Sequence, residues 1–327
     1  MIKKIVKKST KVLSIFIVVV IILALGIIVA EPFLYNDFFG KDSQKEFETP
    51  GISDDFIQQG ICVVDDETFL VSGYMKGKKP SRIYIVDRDD DKTTYVQLKD
   101  EKGEYTTNHS GGISTYANNV YVCCSGGVRI YSLSEILDAT DGGDVVAKSK
   151  FEIDGSASFC QTYNNYLYVG EFYKPGSYDT DDSHKLTTPS GDKNNAMIFA
   201  YKLNSDGSFA QQAPVCAISI TDRIQGMAFC DNKIYLSCSY GLWTSKIYVY
   251  DQNKANQSQS TMTVDGNNVP LVYLDSYCIV DTIYAPPMAE EIVYHDGRLF
   301  VLNESACNKY YFGKLLRAKY VWSIKVG

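Results

Sequence analysis

Five times along this chain a short phrase returns in different wording: QGICVVDDETFLVSGY (59–74), GGISTYANNVYVCCSG (111–126), SFCQTYNNYLYVGEFY (158–173), QGMAFCDNKIYLSCSY (225–240) and EEIVYHDGRLFVLNES (290–305). Each copy opens on a short alternating stretch, passes through a polar turn (DDET, ANN, YNN, CDN or HDG) and leaves on a stretch of the Val-Tyr-Val kind. Two period-2 stretches around an Asn, Asp or Gly turn specify a tight β-hairpin. Five such hairpins, with starts 52, 47, 67 and 65 residues apart, specify a β-propeller. A chain of 327 residues is long enough to close one such ring as a single domain.

More strand-like sequence follows each hairpin. The third strands resemble one another: IYIVD (83–87), RIYSL (129–133), IFAYKL (198–203), IYVYD (247–251) and YVWSIKV (320–326). Fourth strands are expected at 93–100, 144–153 and 213–220, and within the sequence between 254 and 284. The fifth unit stops after its third strand, so residues 41–50 are expected to supply its outermost member, removing two exposed sheet edges. The fold class is therefore all-β, a propeller of five four-stranded blades. Six blades would need a degenerate blade hidden in 254–288, a stretch without a hairpin of the Val-Tyr-Val kind.

The N-terminus sets the compartment. Lys3, Lys4, Lys7, Lys8 and Lys11 precede nineteen residues, 12–30, whose only polar member is Ser14. At 1.5 Å per residue this stretch spans roughly 28 Å, close to the thickness of a bilayer's hydrocarbon layer. The lysines favour the cytoplasmic side, which places the body outside. Residues 1–11 read as a cytoplasmic basic segment, 12–30 as a transmembrane signal-anchor, 31–52 as a stalk with the ring-closing strand, and 53–327 as the propeller. The alternative is secretion after signal cleavage, but Ile28 is bulky for a position two before a cut at Ala30. Net charge is −7, and taking away the five lysines leaves the rest at −12, which argues against nucleic acid as a partner.

Nine cysteines in an exported chain invite a disulfide reading. Cys62, Cys160 and Cys230 recur on the first hairpin strand, and Cys123, Cys124 and Cys238 on the second, so equivalent positions fall in different blades, too far apart to bond. Small buried hydrophobes is the reading that fits. Cys278 and Cys307 are the one pair left open. Three histidines at three separate places (His109, His184, His295), with no Cys/His spacing, suggest no metal. No P-loop, Rossmann fingerprint or nucleophile elbow is present, and no cofactor is expected.

The phrase resembles that of bacterial propellers of the NHL and YncE-like kind, in which a GGI- or QGI-type strand start is followed by a polar turn and a YLYV- or IYLS-type strand. Gly112-Ile113 with Val120-Tyr121-Val122, and Gly226-Met227 with Ile234-Tyr235-Leu236, carry the likeness. The stretch GYMKGKKPSRIYIVD with YVQLKDEKGEYTTNHSGGIS is similar to a family of secreted bacterial propellers whose second blade opens on a His-x-Gly-Gly segment. The resemblance implies architecture and export, and it implies no activity.

Propeller geometry says which residues can meet. The inner strand starts on the rim where the second strand ends, so segments before and after each phrase share one face. The starts bring Gln58, Gln59, His109, Ser158, Gln225, Glu290 and Glu291; the ends bring Tyr74, Glu171, Tyr173, Tyr240, Trp243, Asn303 and Glu304. The two long insertions, 174–195 and 305–316, also fall on this face, which marks it as the working side. Tyr74, His109, Glu171, Tyr173, Gln225, Tyr240, Trp243, Glu291, Asn303 and Glu304 form the expected ligand set: aromatic faces for contact area, polar groups for orientation. The glutamates are expected to be solvated or paired with Lys76, Lys78 or Arg223, and Asp179, Asp181 and Asp182 to belong to a solvated loop.

The expectation is a membrane-anchored extracytoplasmic binding module for a carbohydrate or cell-envelope ligand, or a protein partner. The alternative is a hydrolase or lyase of lactonase or glycosidase type using carboxylates at the mouth. A metal-dependent version would need Glu291, Glu304, Asn303 and His109 to converge on one point.

Overall fold

The computed structural model describes residues 2–90, 92–153, 155–257, 259–310, 313–314 and 316–327. Outside the described residues lie Met1, Asp91, Asp154, Ser258 of the fourth-unit loop, and Tyr311, Phe312 and Leu315 of the fifth-unit insertion, as do the side chains of residues 2–12 with their five lysines.

Each phrase folds into the inner hairpin of a blade. The pairs are Phe56–Val63 with Thr68–Met75, Ile113–Tyr116 with Asn119–Cys124, Phe159–Tyr163 with Tyr166–Gly170, Ile224–Cys230 with Lys233–Cys238, and Ala289–His295 with Arg298–Asn303. The turns have the backbone their residues allow. Asn164 and Asn165 lie at φ 49° and 63°, and Asp296 and Gly297 at 43° and 74°. These left-handed pairs match the right-handed twist of the flanking strands. Third strands follow at Arg82–Asp87, Gly127–Ser132, Ala196–Lys202, Ser245–Asp251 and Tyr320–Lys325.

The outer strands depart from simple repetition. Blade 1 takes Lys92–Lys99 as its fourth strand, and then a fifth, Gly143–Val146, in parallel. The stretch 144–153, expected as one strand, is two: its second half, Ser149–Glu152, edges blade 2. Lys148 N–H donates to Ile130 of blade 2, while Ala147 N–H donates to Lys99 of blade 1, so the chain changes blades between neighbouring residues. Blade 3 has Cys216–Ile220 fourth, and gains the hairpin Gln259–Val264/Asn267–Tyr273 on its outer edge. Blade 4 ends on Ile279–Ala285. The stretch 254–288 thus decorates blade 3 and completes blade 4, and the ring has five blades.

Gln44–Glu48 closes blade 5 by pairing antiparallel with Tyr320–Lys325. Residues just before it pack on the ring too. Phe38 is buried among Ile247 and Ile283 of blade 4 and Ile324 of blade 5, and Phe39 meets the Trp322 indole edge-on at 5.1 Å. The N-terminal helix, Ile2–Leu34, contains a stretch, Leu13–Leu34, long and apolar enough to cross a membrane.

The core lies in the seams between blades. Phe69 of blade 1 contacts Phe300 of blade 5 at 5.0 Å, and the Tyr163 ring of blade 3 stacks on Phe229 of blade 4 at 4.4 Å. All nine cysteines are free thiols, Cys278 and Cys307 included. Non-equivalent cysteines do meet across one seam: the Cys123 thiol of blade 2 touches that of Cys160 in blade 3. Burial pushes both thiols up, which keeps them protonated.

Candidate functional site

Superposed on their inner strands, the phrases begin Gln59-Gly60-Ile61, Gly111-Gly112-Ile113, Ser158-Phe159-Cys160, Gln225-Gly226-Met227 and Glu290-Glu291-Ile292. The second position sits at the ring's axis, where the free edge of each inner strand points unpaired N–H groups inward. Blade 5 answers them with a carboxylate where three other blades carry glycine. Glu291 Oε2 accepts from the N–H groups of Ile61 and Ile113, both at 2.9 Å, and Oε1 accepts from Cys160 at 3.2 Å. The glycines make the room. A Cβ on Gly60 would come within 2.8 Å of Oε2, one on Gly112 would collide with Oε1, and one on Gly226 would come within 2.6 Å of Glu291 Cα. One side chain, 1% exposed, therefore joins blades 1, 2, 3 and 5 and closes the axis. Burial pushes its carboxyl well up, against the pull of the three donors.

Hydrogen bonds across every seam hold the rim around this hub. Ser72 Oγ of blade 1 donates to Gly111 O (2.6 Å), Gly112 N–H of blade 2 to Ser158 O (2.9 Å), and Arg223 N–H of blade 4 to Tyr173 O of blade 3 (3.0 Å). Ser237 Oγ of blade 4 donates to Ala289 O (3.1 Å), and Gln58 Nε2 of blade 1 to Asn303 O of blade 5 (2.8 Å).

Above the hub opens a cavity of about 660 Å³. Its floor is the first position of four inner strands, Gln59, Ser158, Gln225 and Glu290. Its wall includes Tyr74 and His109, Phe172, and Ser239 with Tyr240. The insertions complete it: Tyr178 and Asp179 from blade 3, Lys309 and Tyr310 from blade 5. Met288, also lining it, is held at φ 62°, a left-handed backbone that is strained for a residue of this size.

The charges in the cavity are unevenly matched. Glu304 faces Lys309 Nζ at 3.8 Å, and Lys309 in turn donates to the Tyr74 hydroxyl at 3.3 Å. Burial pushes the Glu304 carboxyl up to about 7, although the Lys309 ammonium pulls the other way. Glu290 is 3% exposed, and its carboxyl has no hydrogen-bond partner among the described residues. Burial first, and then the nearby Glu304, push it well up. The His109 ring, tilted on Tyr74 at 4.9 Å, is wetted through the cavity. Partial desolvation beside Tyr74, and then Lys309, lower its pKa, an effect that its exposure to water limits.

Of the ten expected residues, Tyr74, His109, Gln225, Tyr240 and Glu304 line the cavity. Glu291 lies beneath it at the hub. Asn303 is buried, its amide donating to the carbonyls of Pro286 (3.4 Å) and Pro287 (3.2 Å). Tyr173 packs against the blade 3–blade 4 seam, and Trp243 projects from the rim, 81% exposed. Glu171 is sealed in blade 3, where Oε2 accepts from His184 Nδ1 and from Met197 N–H, both at 3.0 Å. The cation beside the mouth carboxylates is Lys309, in place of Lys76, Lys78 or Arg223. Among the described residues, no three acidic, His or Cys side chains converge on a point that could hold a metal ion.

The His184–Glu171 pair also pins the long insertion of blade 3. Lys185 Nζ bridges Asp179 (2.9 Å) and Asp182 (2.7 Å), Asp181 caps the turn at Ser183 N–H, and Leu186–Thr187 pairs with Lys193–Asn194. His184→Gln keeps a donor for Glu171 but loses the ring's contact with Phe199 at 5.4 Å. It should cost about 1–2 kcal/mol and make the insertion the first site cut in limited proteolysis, with the remaining ring intact.

No protein-family profile matches the sequence, and no curated protein matches it. Solved structures do show likeness. An oxidoreductase of glucose dehydrogenase type from Thermus thermophilus is 12% identical with a TM-score of 0.43, over 86% of this chain and 99% of that one. The extracellular domain of a one-component system from B. thetaiotaomicron is 12% identical with a TM-score of 0.35, over 75% of this chain and 31% of that one. The computationally designed Ika8 protein is 9% identical with a TM-score of 0.34, over 82% and 71%. The blade count rests on the strand pairings above and not on these likenesses.

Proposed function

We propose that this chain is a ligand-binding propeller held at the outer face of a membrane by its N-terminal helix, and that the mouth cavity is its binding site. The observation that carries the reading is Glu290: a buried carboxyl facing the cavity with no partner among the described residues. That carboxyl opens onto the cavity, where a ligand hydroxyl or amine would take the place of water as its hydrogen-bond partner. The strained backbone of Met288 beside it is a cost borne at the same place. Tyr74, Tyr240 and Tyr310 offer flat faces, which suits a carbohydrate or cell-envelope glycan. The resemblance of the repeated phrase to that of exported bacterial propellers of the NHL and YncE-like kind, and the lysines before the apolar helix, support the outer location.

Glu304 favours a second reading. A carboxyl brought to about 7 beside another carboxyl is equipped to donate a proton, so hydrolysis or elimination of a sugar or lactone in the same cavity is the alternative.

The test is a thermal-shift and calorimetric screen of the full chain in detergent against cell-wall sugars and their oligomers. Glu290→Gln and Tyr240→Ala should each weaken the best ligand at least about tenfold, while the unliganded unfolding midpoint stays unchanged or, for Glu290→Gln, rises. Product formation by the wild type, abolished in Glu304→Gln, would move the conclusion to the enzyme. Equal affinity in all three proteins would place the ligand elsewhere.

A further inference from the structure

We infer that the rim of the mouth rests on the same bilayer that the N-terminal helix enters, with Leu242 and Trp243 seated among the lipid headgroups. The inference rests on the reading of that helix as a membrane span.

Its first support is the absence of slack between helix and ring. The apolar stretch runs to Leu34, yet Glu31 within its last turn already touches the propeller: Oε2 accepts from Arg317 N–H at 3.0 Å. Arg317 precedes Tyr320–Lys325, the strand of blade 5 that starts on the mouth side, beside the end of Arg298–Asn303. The 22 residues of the stretch measure about 33 Å, which already fills a hydrocarbon layer of about 30 Å. The headgroup layer adds only about 5–8 Å on each side. A rim bonded to the final turn of the span therefore lies within that layer.

The second support is what the mouth-side rim carries on blade 4. Residues 239–244 follow the second strand of blade 4, the blade on which Phe38 packs, and they end on the mouth side. There Leu242 is 62% and Trp243 81% exposed, beside a half-exposed Tyr240. Two large apolar side chains in succession at a loop tip gain nothing from water, whereas Trp is favoured at a membrane interface, where its ring reaches apolar chains and its N–H stays wet. Phe33 and Leu34, likewise exposed at the helix end, belong to the same layer. Arg317 brings a guanidinium to the phosphate level, over the Phe39 ring at 5.0 Å. The cavity then opens toward the bilayer.

The chain has two tryptophans, Trp243 and Trp322, so the contact can be read optically. The full chain is reconstituted into phosphatidylethanolamine–phosphatidylglycerol vesicles, with and without lipids brominated near the headgroup end of the acyl chain. The wild-type minus Trp243→Phe difference isolates the Trp243 emission without touching Trp322. The expected result is a blue-shifted Trp243 that loses most of its emission to the brominated lipid. A water-like, unquenched Trp243 in protein that survives an alkaline wash of the vesicles overturns this inference alone. Protein stripped off by the wash overturns it together with the membrane-span reading, and leaves the mouth cavity as a binding site untouched.

Discussion

Glu291→Ala should lose at least about 3 kcal/mol of unfolding free energy, read as a shift of the urea midpoint at constant slope. The truncation leaves the N–H groups of Ile61, Ile113 and Cys160 without their acceptor, at about 1–3 kcal/mol each. Water entering from the cavity above would recover part of this, so the loss should fall between about 3 and 6 kcal/mol, short of the full sum. Glu291→Gln separates shape from acceptor count. Its single oxygen can serve Ile61 and Ile113, but its amide nitrogen would face the N–H of Cys160, and about half the loss should remain. A Glu291→Ala protein within 1 kcal/mol of wild type would mean that the axis is held by seam packing and rim hydrogen bonds alone.

Stability should also fall as pH rises from about 4.5 to about 7, and Glu304→Gln should remove much of that fall. The Glu304 carboxyl, ordinarily near 4.5, is brought to about 7 in the folded protein by burial. An acid raised in this way binds its proton more tightly folded than unfolded. Its contribution is complete below about 4.5 and lost as pH climbs to about 7, amounting to about 3 kcal/mol at most. Glu290, pushed up by burial and by Glu304, continues the trend to higher pH. Carboxylates on the outer surface such as Asp100 and Asp144, held low by their partners, work in the opposite direction. The quantity to measure is therefore the difference between wild type and Glu304→Gln in chemical unfolding at pH 4, 5.5, 7 and 8. A constant difference would show that Glu304 is solvated well enough through the mouth to titrate as in water.

The hairpins were legible because alternation and turn chemistry are local: Asn164-Asn165 and Asp296-Gly297 can take left-handed backbone, and the flanking residues alternate in and out. The ring-closing strand was legible by elimination, since blade 5 lacked an outer member. Periodicity reports which way a side chain faces, though not which edge a strand joins. That is why Gly143–Val146 and Ser149–Glu152 read as one strand although they pair with different blades, and why the destination of the 259–273 hairpin was hidden. The mouth shows the same division. Tyr74, His109, Gln225, Tyr240 and Glu304 follow from their place in the repeat, while Lys309 and Tyr310 arrive on an irregular insertion that no repeat constrains. The role of Glu291 did leave a trace: a glutamate stands where three sister strands have glycine, and those glycines are what leave space for it.

The ring is closed by its first strand, and this sets a clock on its manufacture. Glu46 bonds to Ser323, 277 residues later. At about 5–20 residues per second, roughly 14–55 s separate the emergence of the two. Throughout that time the helix and the Gln44–Glu48 strand are already made, while the Tyr320–Lys325 edge they need does not exist. A chain interrupted near residue 319 would carry four finished blades and a fifth with its edge unpaired, the kind of surface that recruits other chains. For this protein, being almost complete is the most hazardous stage of its synthesis.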